Sequence, residues 1–348
     1  MLPSLSRAAR WFQASGIQTA NGGVARYYRA DSAVFQPVST EITGYAVSAL
    51  VYLGCLEEAL RAAHFLADVA WDAAVRVMPF EIDPAEFTYF FDCGIIVRGL
   101  LAAWRARGSE ELLAAAVAIG DSMARDFEAK DGYHPILSLP DKQPVKRDGL
   151  RWSRSPGCYQ LKSAMAWWNL AEATGEARFR AAYERALEFG MRGYGGFLPG
   201  HPDRSKVMDR LHAFLYFLEG LLPAAGDARV KAALCDGLRR VAALREEIAP
   251  EFERSDVIAQ LLRVRLYADW AGAVPLDTAA AEREAALLAA YQAADDDPRV
   301  DGGFYFGRRD GTVTPFVNPV SACFGVQALS MWDEWRTSGA RAEHRILI

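Results

Sequence analysis

The sequence predicts an all-α fold of six helical hairpins, and three observations carry that expectation. Amphipathic and wholly apolar helical segments alternate along the chain. Each pair recurs at a spacing of roughly 55 residues, as an internal repeat would. The links inside a pair are short, whereas most returns to the next pair are long. Inner helices in one ring, outer helices in a second, and long loops at the N-terminal ends of the inner helices make an (α/α)6 toroid. The 348 residues, 51% of them apolar, suffice for a single barrel domain over 1–348 with a sizeable core.

The outer type is clearest in ARFRAAYERALEFG (177–190). Phe179, Ala182, Tyr183, Ala186 and Leu187 share one helical face, with Arg178, Arg180, Glu184, Arg185 and Glu188 mostly on the other. Similar one-sided patterns lie near 5–14, 57–71, 110–127, 228–246 and 278–292. The inner type is apolar nearly all round, as expected of a helix buried on every side: 41–53, 89–104, 158–172, 211–222, 256–270 and 319–335. An inner helix passes to the next outer one through a short link such as ATGE (173–176) or PAAGD (223–227). The returns at 15–38, 72–88, 128–156, 191–208 and 293–317 are long, and long loops in a compact domain are commonly functional.

Several classes of function are disfavoured by composition. The net charge is −5 and the basic residues are scattered, which is not the footprint of a nucleic-acid binder. The five cysteines are widely spaced, without CxxC or a Cys/His cluster, and read as buried thiols with no metal site. No P-loop, EF-hand, dinucleotide fingerprint or nucleophile elbow occurs, so no cofactor is expected. No stretch has the length of a membrane span, and MLPSLSRAARWFQASG lacks the apolar core of a signal peptide, so a cytoplasmic location is expected.

The alternation, the glycine–aromatic loops NGGVARYY (21–28), DGYHPIL (131–137), YGGFLPG (194–200) and DGGFYFGRRDG (301–311), and the segments EITGY (41–45), LHAFLYFLEGLL (211–222) and NPVSACFGVQAL (318–329) carry a resemblance. Together they resemble the six-hairpin carbohydrate-active superfamily: glycoside hydrolases, unsaturated-uronyl hydrolases, polysaccharide lyases and N-acylglucosamine 2-epimerase-like isomerases. That resemblance implies a sugar site in the barrel cavity. LHAFLYFLEGLL is similar to an inner helix of the 2-epimerase-like group, which implies a proton-transfer role for His212. The group's second catalytic histidine has no counterpart, because His64, His134, His201 and His344 lie off the inner helices.

Polar groups recur in the first turns of the inner segments: Glu41 with Tyr45, Tyr89 with Asp92, Tyr159 with Lys162, Asp209 with His212, Asp256 with Gln260, and Asn318 with Ser321. Asp92, between Phe91 and Cys93, needs a partner or a raised pKa, and a raised pKa is what a general acid requires. A structural salt bridge, for instance to Arg98, is the alternative. Glycosidic hydrolysis needs two carboxyls about the scissile bond, and Asp92 with Asp256 or with Glu41 can supply them. Helix capping is the plainer role for Glu41, and for Asn318 followed by Pro319. Loop aromatics including Tyr89, Trp152, Tyr159 and Tyr305 suit sugar stacking, and Arg26 and Lys162 suit an anionic group.

The first expectation is thus a glycoside hydrolase acting on an oligo- or polysaccharide, either neutral or anionic. Asp92, Asp256, Glu41 and His212 would be its catalytic candidates. Tyr45, Tyr89, Trp152, Tyr159, Lys162, Arg26, Tyr305 and Asn318 would bind substrate. A lyase or sugar or uronate epimerase using His or Tyr proton transfer is the alternative. DGGFYFGRRDG also resembles a loop of prenyltransferases and terpene cyclases, but their metal pattern and DxDD acid are missing. A non-catalytic sugar-binding toroid is the remaining class.

Overall fold

The computed structural model describes residues 2–339 and 344–348. In chain order its α-helices are α1 (Pro3–Ala14), α2 (Thr40–Tyr52), α3 (Leu56–His64), α4 (Phe90–Arg107), α5 (Glu110–Asp126) and α6 (Leu161–Thr174). They continue as α7 (Ala177–Gly193), α8 (Arg204–Leu221), α9 (Ala228–Ile248), α10 (Ser255–Trp270), α11 (Thr278–Ala289) and α12 (Pro319–Ser338). The even-numbered helices are the apolar ones and the odd-numbered ones are amphipathic, matching the alternation in the sequence. The chain packs as two compact units: residues 19–25 with 38–197, and residues 1–18 and 26–37 with 198–348.

In the unit built on 38–197, α2, α4 and α6 pack side by side, each against its own outer helix α3, α5 or α7. Glycines let these inner helices come close. A Cβ on Gly99 would lie 2.5 Å from the Gly44 carbonyl oxygen, and one on Gly94 would lie 2.4 Å from that of Ser163. Any larger residue would wedge α4 away from α2 or α6. The outer helix α3 ends in a π-helical turn over Phe65–Ala70, where a single continuous helix was expected to residue 71.

In the other unit α8, α10 and α12 are the buried row, with α9 and α11 outside α8 and α10 and α1 against α12. Helix α8 starts at Arg204, seven residues before the apolar segment that marked it in the sequence. Asp203 is the reason: its carboxylate accepts from the backbone N–H groups of Ser205 and Lys206 and caps the extra turns. His212 consequently lies more than two turns into its helix rather than in the first. Asn318 caps α12 through Val320 N–H, with Pro319 following.

The long loops carry short antiparallel strands that periodicity did not reveal. Residues 87–89 pair with 136–138 and those with 143–144. In the second unit 252–254 pair with 307–309, and 28–29 pair with both 34–35 and 316–317. Strands of two or three residues are too short to show alternation. They lead straight into α4, α10 and α12 and so fix where those helices begin. Four of the five cysteines are buried and all are unbridged; Cys235 is part-exposed, against the expectation that all five are buried.

Candidate active site

Polar side chains gather at the N-terminal ends of the inner helices in each unit. In the 38–197 unit, Glu41 stands in the first turn of α2 and Asp92 in the first turn of α4. These helices touch at Gly44 and Gly99, and the Glu41 carboxyl is near enough to act electrostatically on Asp92. Burial pushes the Glu41 carboxyl up to about 7. Burial, then the charge of Glu41, drives Asp92 well above the carboxylate range, with only its own backbone N–H acting the other way. Asp92 is 5% exposed and its Oδ2 accepts no hydrogen bond. Arg98, the proposed structural partner, turns its Nε to Asn169 Oδ1 at 3.1 Å.

Aromatic rings surround this pair. The Tyr89 phenol is raised by burial and by both carboxylates. Tyr159 is raised chiefly by burial, with Asp92 contributing, and its hydroxyl donates to the Ser155 carbonyl at 3.1 Å. Trp152 packs edge-on to Tyr159 with ring centres 5.0 Å apart. Tyr45 and Lys162 are fully buried in the same unit.

The other unit holds a second cluster. Arg254 grips Asp256 with two bonds, Nε to Oδ1 at 3.0 Å and Nη2 to Oδ2 at 2.6 Å, and reaches Asp209 Oδ1 with Nη1 at 2.9 Å. Burial works against the Asp256 carboxylate, but Arg254 and then His212 outweigh it and hold it below its ordinary range. An acid so held is an anion at neutral pH and a poor proton donor. His212 Nδ1 lies 2.6 Å from Gln260 Oε1 and 3.6 Å from Asp256 Oδ2. With the Gln260 oxygen towards the ring, the tautomer that satisfies this contact carries its proton on Nδ1 and leaves the Nε2 lone pair free. Burial lowers His212 to about 4 against the upward pull of Asp256, so the ring is neutral at pH 7.

Of the remaining candidates in this unit, Asn318 turns its Oδ1 to the α12 cap. Tyr305 and Arg26 are anchored through the main chain, the Tyr305 carbonyl accepting from Ser255 Oγ at 2.7 Å and the Arg26 N–H donating to the Pro37 carbonyl. Deeper in the row, two turns below His212, Arg263 pairs with Glu219. Arg254 is the principal residue that sequence reasoning missed. Its place in ERSD, two residues before an acid at a helix start, was the available signal.

Comparison with known proteins identifies the fold. No family model matches the chain, and no curated protein does. Among solved structures, a sugar epimerase from a ruminal bacterium is 16% identical with a TM-score of 0.73, covering 97% of this chain and 98% of that one. An alpha-amylase from Clostridium perfringens is 12% identical with a TM-score of 0.67, covering 94% and 98%. A D-mannose isomerase is 9% identical with a TM-score of 0.66, covering 95% and 97%. Over nearly its whole length, then, this chain has the (α/α)6 toroid fold found among six-hairpin carbohydrate enzymes.

Proposed function

We propose that the protein is a carbohydrate-active enzyme that isomerises a reducing sugar by proton transfer, with His212 as the base. The observation that carries this reading is the buried, neutral imidazole whose Nδ1 is committed to Gln260 and Asp256, leaving Nε2 as a proton acceptor. On an open-chain aldose, Nε2 takes the C2 proton, the C–H electrons form the C1=C2 bond and the carbonyl pair moves onto O1; the hydroxyl proton passes from O2 to O1, and the imidazolium returns its proton to carbon. Asp256, kept ionised by Arg254, stabilises that imidazolium. The epimerase and isomerase among the structural neighbours favour this chemistry over the hydrolysis the sequence first suggested.

A single base favours return of the proton to C1 on the same face, which gives a ketose. Inversion at C2 instead needs a second proton donor on the opposite face. The test is incubation with aldoses and ketoses in D2O, followed by NMR at C1 and C2. Deuterium exchange that falls about 100-fold or more in His212→Gln supports the assignment. Turnover unaffected by that substitution would refute it.

A second reading rests on the Glu41–Asp92 pair. One raised carboxyl as general acid beside a second carboxyl is the equipment of a glycoside hydrolase. It predicts that oligosaccharide cleavage is abolished by Asp92→Asn and survives His212→Gln.

A further inference from the structure

The surroundings of Asp92 speak to the charge of what binds there. Its Oδ2 is buried and accepts no hydrogen bond, although a carboxylate oxygen removed from water needs a donor. Glu41, which acts on it electrostatically, adds a second acid at the same spot. The phenols of Tyr89 and Tyr159 are close enough to feel Asp92, and Trp152 backs Tyr159. Glu41, Tyr89 and Trp152 are each part-exposed, so the outer edge of the group is open to solvent. The other charged groups that act on Tyr89 are Arg154 and Glu81, of opposite sign.

We propose that the Glu41–Asp92 pair binds a primary ammonium group, so that this site takes an amino sugar with a free amine and not a uronate. An ammonium brings three N–H donors, one of which can satisfy Asp92 Oδ2, and its charge offsets two acids that otherwise repel each other. Aromatic rings favour a cation, because their faces are electron-rich. A uronate would place a third carboxylate among these groups. This inference stands apart from the His212 reading and does not depend on it.

Isothermal titration at pH 7.5 with glucosamine, glucose, N-acetylglucosamine and glucuronate tests it on the full chain. Glucosamine should bind at least about tenfold tighter than the other three. Its binding should release protons, seen as heats that change with the ionisation enthalpy of the buffer, because the cation favours ionisation of both carboxyls. Asp92→Asn should abolish the preference, and Glu41→Gln, at a part-exposed position, should weaken it in a chain with wild-type circular dichroism. His212→Gln should keep the preference even where it abolishes isotope exchange, which separates failure of one idea from failure of the other. Equal affinity for glucose and glucosamine, no glucosamine binding at millimolar concentration, or a preference untouched by both carboxyl variants would each overturn the proposal.

Discussion

Removing Arg263 should destabilise the protein far more than removing it together with Glu219. Arg263 is 0% exposed, pairs through Nη2 with an equally buried Glu219, and gives Nη1 to Gln327 Oε1 at 3.0 Å and to the Ile348 carbonyl at 3.1 Å. Its guanidinium also lies 4.0 Å from the centre of the Phe324 ring. In Arg263→Met the Glu219 carboxylate is left without its cation in a place water does not reach, which costs about 3–5 kcal/mol. In Arg263→Met/Glu219→Leu neither charge remains, and the residual cost is the lost bonds to Gln327 and Ile348, about 1–2 kcal/mol. Urea unfolding of the four proteins closes a double-mutant cycle, with an expected coupling of at least about 2 kcal/mol. A cost for Arg263→Met below about 1 kcal/mol, or a double variant equal to the sum of the singles, would refute the reasoning.

Three further outcomes follow from the same geometry. His212, lowered to about 4 in the fold, is protonated first in the unfolded chain, so its contribution is complete above pH 6.5 and is lost as pH falls towards 4. His212→Gln should flatten that part of the stability–pH curve, and imidazole NMR at pH 6 should show a neutral ring protonated at Nδ1. Glu41, raised to about 7, has the opposite sign: stability falls as pH rises from about 4.5 through 7. Glu41→Gln should therefore stabilise the protein at pH 8 relative to pH 5, by about 1–2 kcal/mol after allowance for its part exposure; a shift of the other sign in urea titrations would rule this out. Gly94→Ala should destabilise by about 2 kcal/mol or more, because its methyl would meet the Ser163 backbone at 2.4–2.5 Å, and a neutral effect on thermal unfolding would disprove that contact.

The sequence by itself determined the hairpins. Whether a helix is apolar all round, as in 89–104, or one-sided, as in 177–190, is written within a few turns of chain, and that local pattern decides which helices are buried. It also marked Asp92 as an acid in apolar surroundings. Asp256 and Asp92 looked alike in the sequence, each an acid at the head of an apolar helix. The tertiary structure separates them: Asp256 lies in the grip of Arg254 and is held as an anion, whereas Asp92 faces Glu41 and is driven towards its protonated form. The commitment of His212 Nδ1 to Gln260, 48 residues away, was likewise invisible. The period of a helix is set by neighbours along the chain, but the ionisation of a buried group is set by whichever charges packing brings within a few ångströms. For Glu41 and Asp92 that packing is of α2 against α4, which touch at Gly44 and Gly99.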